Sequence, residues 1–197
     1  MFHNILQLSE EQKRRAIKQF ARSDKDAHEY SIVMIDISKE IAKQMKEVCK
    51  NNIADEVLYT EDNKPGREDD AHITVKWGIT TDDVTEFKKM MKEVNPFVIK
   101  FGKISLFEPD DKYDVVKIEV ISRELHALNK KITNNFETEE THKEYKPHAT
   151  LAYILPKRCP EALLSDCNLT GKTMKVTEVV FCDRKGKKTK LKLGDGT

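Results

Sequence analysis

The sequence predicts an α+β protein of two similar lobes, and three observations carry that prediction. Two pentapeptides, Ala71-His72-Ile73-Thr74-Val75 and Pro147-His148-Ala149-Thr150-Leu151, are near-copies of the form x-His-apolar-Thr-apolar. Each lies in a strand-like run that continues to an aromatic residue, Trp77 or Tyr153. The same order of patterns precedes each copy: a β-rich run, a helical period, then a charged loop. Beyond the motifs no residue-level repeat is visible, so the duplication is one of a strand-helix-strand unit. Two such lobes facing one another would bring the motif strands together across a shared cleft.

The elements follow in chain order. Ser9 with Gln12 reads as a capping box for a helix to about residue 21, with Ala16, Ile17 and Phe20 on its apolar side. With the polar stretch after it, this makes an N-terminal helical extension, residues 1–29, ahead of a single bilobal domain, residues 30–197. Residues 30–37 (YSIVMIDI) form a strand. Ser38 caps a helix in which Ile41, Met45, Val48 and Cys49 recur at helical spacing. A short strand at 57–59 and a charged Pro-Gly loop at 61–70 lead to the first motif. Thr80 is expected to cap a helix through about residue 94, stopped by Asn95-Pro96. Strands at 97–107 and 115–121 flank a turn, and Ser122 opens a helix carrying Leu125, Leu128 and Ile132. A polar loop, 136–146, leads to the second motif. Residues 156–168 read as irregular, and 174–181 with 189–193 as a hairpin around Arg184-Lys185-Gly186.

Composition narrows the partners. The 197 residues carry 35 basic and 34 acidic side chains, a formal net charge of +1. That gives no global attraction to long nucleic acid or to an anionic membrane, while a small anionic ligand in a local pocket stays compatible. No apolar run approaches the roughly 20 residues that span a bilayer. Met1-Phe2-His3-Asn4 lacks a signal-peptide pattern, so a cytoplasmic location is expected. The four cysteines are scattered without a C-x-x-C pair and read as reduced apolar fillers. The signatures of nucleotide-triphosphate, dinucleotide and zincin chemistry do not occur.

The chemistry rests on the motifs. Side chains alternate faces along a strand, so His72, Thr74 and Lys76 are expected on one face, with Ile73, Val75 and Trp77 on the core side. In the second copy His148, Thr150 and Ala152 share a face, opposite Ala149, Leu151 and Tyr153. Of the six histidines only these two are followed by Thr two positions on. Two half-buried histidines satisfied by neighbouring hydroxyls would be the bland alternative, and it leaves the repetition unexplained. Imidazole titrates near 6.5, so one histidine can take a proton and the other give one near neutrality. The two threonine hydroxyls, with Lys76 if it does not simply reach to solvent, would hold phosphoryl oxygens. No ligand-spaced acidic or histidine cluster accompanies either motif, so neither metal nor cofactor is expected.

Paired His-x-Thr motifs in a chain of this size resemble the 2H phosphoesterase superfamily, over roughly residues 30–193. That resemblance implies a bilobal fold, two antiparallel sheets flanked by helices, with both motifs lining a central cleft. It also implies His72, Thr74, His148 and Thr150 as the catalytic set. The strings HITVKWGIT, KISLFEPDDKYDVVKIEVISRELHALN, YKPHATLAYILP and EVVFCDRKGKK are similar to phage-encoded members, the anti-CBASS nucleases that destroy cyclic di- and trinucleotide immune signals. On that likeness the protein would act in a host cytoplasm, and Tyr30, Phe107 and Glu178 would be substrate contacts. The first motif continues Lys76-Trp77-Gly78-Ile79, where ligase-like relatives more often have Arg-Phe-Leu-Gly. Three functions follow: a metal-independent phosphodiesterase for cyclic oligonucleotides, a 2H enzyme acting on 2′,3′-cyclic phosphates or RNA ends, and a non-catalytic module that binds cyclic nucleotides. A cyclic oligonucleotide or other small phosphodiester is the expected partner.

Overall fold

The computed structural model describes residues 29–62, 64–107, 111–139, 144–164 and 168–194. The N-terminal extension, with the helix expected at 9–21, lies outside the described residues apart from Glu29. Strand β1 (Ser31–Asp36) leads to helix α1 (Lys39–Asn52), where Ser38 Oγ accepts from the Ile41 amide at 3.4 Å as its N-cap. A 3-10 turn (Asp55–Val57) precedes β2 (His72–Ile79), helix α2 (Thr85–Lys92), β3 (Phe97–Leu106) and β4 (Asp114–Ile121). Helix α3 (Arg123–Asn135), capped by Ser122, leads to β5 (His148–Ile154). A 3-10 turn (Glu161–Leu164) and strands β6 (Thr173–Val176), β7 (Glu178–Cys182) and β8 (Lys188–Lys192) complete the chain.

The eight strands among the described residues form one antiparallel sheet in the order β6-β3-β4-β5-β2-β1-β7-β8. The two sheets implied by the resemblance are therefore two four-stranded halves of one sheet. Their join is a single antiparallel pair, Ile73 with Ala149, the residues at the centre of the two motifs. The expected strand at 174–181 is also corrected. It splits at Thr177, with β6 pairing to β3 and β7 to β1 and β8. One residue thus links an edge strand to a strand at the far end of the sheet order. It reaches only a few ångströms, so the sheet must curl until its ends approach.

Most buried apolar residues of both halves fall in one cluster, with Met34, Val180 and Cys182 in a small second one. The main cluster holds Val33 and Ile35 of β1, Ile73 and Val75 of β2, Val116 and Ile118 of β4 and Ala149 of β5, with α1, α2 and α3 packed on it. Phe87 of α2 stacks on Phe136 at 3.7 Å between ring centroids and lies 4.8 Å from Phe181 of β7. Helix α2 starts later than Thr80. Asp83 accepts from the Thr85 amide at 2.9 Å, and Asp82 is held outside the helix by Ser31 Oγ at 2.8 Å and by Arg184. Arg184 holds the Asp82 carboxyl well below the usual carboxylate range.

The loops before the two motifs cross over. Residues 57–68, which lead into β2, pair with β5: Tyr59 N donates to Tyr153 O, Tyr153 N to Gly66 O and Glu68 N to Leu151 O. Residues 137–139, on the way to β5, pair with β2: Thr80 N donates to Glu137 O and Glu139 N to Gly78 O. Each half thus covers the backbone that the other half's motif strand leaves free.

Candidate active site

Because Ile73 faces Ala149 in an antiparallel pair and both are fully buried, the flanking motif residues point to the opposite face. His72 then neighbours Thr150, and Thr74 neighbours His148. All four are half-buried. The structure thus brings the two imidazoles and two hydroxyls to one patch.

The imidazoles are held alike. Nδ1–H of His72 donates to the Asp70 carbonyl at 2.7 Å, and Nδ1–H of His148 to the Lys146 carbonyl at 2.7 Å. A carbonyl only accepts, so the proton of each neutral ring sits on Nδ1 and Nε2 keeps the lone pair. Each ring can take a proton at Nε2, and once cationic can return it there. Asp70 is itself fixed by Lys188, whose Nζ lies 2.6 Å from its carboxylate and holds that carboxyl below its ordinary range.

Past each threonine the strand alternation breaks. On β2, Thr74 pairs with Met34 but Lys76 with Val33, and on β5, Thr150 pairs with Lys117 but Ala152 with Val116. In both places two residues oppose one step on the partner, a β-bulge that turns the following side chains over. Trp77 and Tyr153 therefore leave the core side expected for them. Trp77 is 36% exposed, and Tyr153 is half-buried, its ring 5.7 Å from that of Tyr113. Lys76 is turned away from His72 and Thr74. It stands opposite core-facing Val33 and is 6% exposed.

Backbone carbonyls freed near the first bulge have side-chain donors. Tyr145 Oη donates to Thr74 O at 2.9 Å and Asn129 Nδ2 to Val75 O at 2.7 Å. Burial pushes the Tyr145 hydroxyl's pKa up, keeping it a donor. Tyr145 stands three residues before His148, so the approach to the second motif braces the strand of the first.

The remaining expected contacts distribute unevenly. Phe107 meets the His148 ring edge-on, 4.6 Å between centroids. Continuing the β1–β7 register past Met34↔Val180 sets Glu178 beside Asp36, the partner of His72, about 10 Å from that histidine. There Glu178 pairs with Lys190. Tyr30 stands apart. It precedes Ser31, which pairs with Ile79, and its ring packs against Trp77 at 4.9 Å, about 16 Å along β2 from His72. Two neighbours were not singled out from the sequence. Lys117 and Glu119 of β4 lie directly across from Thr150 and His148, and their only local signal is a polar-apolar alternation in VVKIEVI. Among the described residues no group of three or more His, Cys, Asp or Glu could hold a metal ion. No helix among them is long and apolar enough to cross a membrane.

Fold and site together define an α+β protein with paired His-x-Thr strands on one antiparallel sheet. A model of the 2′-5′ RNA ligase superfamily matches residues 35–188, and the chain belongs to that superfamily, the 2H phosphoesterases. Among curated proteins it is similar to candidate phosphoesterases of Oceanobacillus iheyensis, 34% identical over 91 residues, and of Bacillus mycoides, 33% over 90 residues. Each match covers 43% of this chain, and the chain spans about half, 52%, of those relatives. Among solved structures, TT0787 of Thermus thermophilus superposes with a TM-score of 0.57 at 14% identity, over 84% of this chain and 99% of that one. Apo LigT of Escherichia coli gives 0.52 at 14%, over 83% and 94%. The same protein complexed with 3′-AMP gives 0.52 at 16%, over 83% and 94%.

Proposed function

We propose that this chain is a phosphodiesterase that works without a metal, by acid-base catalysis between His72 and His148, on small cyclic oligonucleotides. The observation that carries this reading is the matched pair of Nδ1–H···O=C bonds, which make Nε2 the working nitrogen of both rings. One imidazole removes the proton from the attacking oxygen, water or a ribose 2′-OH. The other protonates the leaving 5′-oxygen, while Thr74 and Thr150 donate to non-bridging oxygens. The proton taken and the proton returned balance, so the pair is reset after exchange with solvent.

A small substrate agrees with the net charge of +1 and with the Phe107 ring packed edge-on against His148. The biological role proposed with it, destruction of cyclic di- or trinucleotide signals by a phage protein, rests on the likeness of the strings around the motifs to phage-encoded members. A second reading, turnover of 2′,3′-cyclic phosphates or RNA ends, is favoured by the matched superfamily and by the 3′-AMP complex of LigT.

A panel of cyclic di- and trinucleotides and 2′,3′-cyclic mononucleotides, incubated with the protein in excess EDTA, separates these readings. Cleavage of the cyclic oligonucleotides, reduced about 10²–10⁴-fold in His72→Ala and in His148→Ala, is expected. Turnover confined to the mononucleotides gives the second reading. Binding without cleavage defeats both, and activity abolished by EDTA defeats the mechanism.

A further inference from the structure

Lys117 departs from the β4 strand on the motif face, directly across from Thr150. It is 7% exposed, in a position where an ammonium needs compensation. Its Nζ donates to Ser105 Oγ at 2.7 Å and stands 4.9 Å over the Phe107 ring, which packs against His148. Ser105 is the cross-strand partner of Lys117 on β3, and Phe107 directly follows that strand, so both contacts draw the ammonium to the β3 side. A neutral hydroxyl and a ring face are modest partners for a buried cation. No carboxylate among the described residues lies within ion-pair distance of it; Glu119, on the same face, acts only through space.

Lys146 and Lys103 add repulsion to the cost of burial, and the Lys117 pKa is pushed down accordingly. The ammonium leans toward β3, on a residue whose strand position is directly across from Thr150, and with donors to spare it is stabilised by an anion bound on the motif face.

We propose that Lys117 is a further catalytic residue: its ammonium donates a hydrogen bond to a non-bridging oxygen of the scissile phosphate beside Thr150 and His148. The phosphodiester carries one negative charge and gains a second as the attacking oxygen bonds to phosphorus. Lys117 offsets that gain without transferring a proton, and its hydrogen bond strengthens as the charge develops. This assignment rests on the phosphodiesterase reading, but its anion-binding part can be measured without turnover.

The test titrates inorganic phosphate into the native protein, Lys117→Met and Lys117→Gln, following the Nε2 resonances of His72 and His148 by NMR. The native protein is expected to give a saturable shift, and both variants an apparent Kd weaker by roughly tenfold or more, with amide spectra unchanged away from the site. Where one variant fails to fold, the other decides. A Kd within twofold of native, no shift in the native protein, or a weaker Kd with amide changes throughout the fold overturns the assignment. Native protein that binds phosphate through Lys117 yet cleaves no phosphodiester overturns the phosphodiesterase reading and leaves Lys117 as an anion-binding residue. Where the native protein cleaves, kcat in Lys117→Gln should fall about 10²-fold or more. An unchanged kcat limits Lys117 to ground-state binding and overturns its catalytic part.

Discussion

Burial decides what the thiol of Cys49 can do. It is 2% exposed on the inner face of α1, its Sγ–H donates to the Leu151 carbonyl at 3.5 Å, and burial pushes its pKa up to about 11. The folded protein holds that proton more tightly than the unfolded chain, so its stabilising effect is full at neutral pH. It is lost as pH rises from about 9 toward 11, a change of about 2–3 kcal/mol from this group. Denaturant midpoints at pH 8 and pH 10.5 should show that loss for the native protein and a smaller one for Cys49→Ala. At pH 8, alkylation mapped by mass spectrometry should reach Cys49 only on unfolding. The apolar role of Cys49 is legible in its helical spacing with Ile41, Met45 and Val48. Lys117 is not legible in this way, because what makes it unusual is being opposite Thr150, 33 positions away in the chain. Sequence spacing carries no signal of that pairing.

At the scale of elements, the bulges set how far the sequence can be read. Alternation places His72 and Thr74 on one face correctly, since the strand is regular as far as Thr74. One extra residue then reverses the faces, and a period-two reading carried past it assigns Lys76 and Trp77 to the wrong sides. A later residue in the same strand shows the backbone cost. Gly78 has φ +84°, and a Cβ there would overlap the carbonyl oxygen of Glu139. Gly78→Ala is expected to lose about 1–3 kcal/mol from the conformation alone, and more from displacing residues 137–139. Urea denaturation should show it as a lower midpoint with an unchanged slope. The helix caps Ser38 and Ser122 were legible because their partners are three residues away. The start of α2 was not, because Asp82 is committed to Ser31 and Arg184, both distant in sequence.

For the whole molecule, this architecture predicts unfolding as one cooperative unit. A single apolar cluster spans both halves, and each pre-motif loop completes the other half's strand, so neither half retains its hydrogen bonds alone. Fluorescence of Trp77, the chain's single tryptophan, reports the first-motif half, whereas far-UV circular dichroism reports all elements. The two unfolding curves should coincide; separate midpoints would show halves that unfold independently. The α+β class is legible in the order of patterns, but the single curled sheet is not, because it depends on which edges β6 and β7 join.

The Ile73–Ala149 pair also has a consequence for direction. An antiparallel pair carries a local dyad normal to the sheet, and here it exchanges His72 with His148 and Thr74 with Thr150. A phosphodiester has chemical polarity, with unlike oxygens on its two sides, yet the four motif side chains alone would receive it in either orientation with acid and base interchanged. The sense of binding is therefore left to whatever breaks the dyad. Glu119 and Phe107 flank one histidine, with Lys117 across from the nearby Thr150, and Asp36 and the lysine-paired Asp70 flank the other.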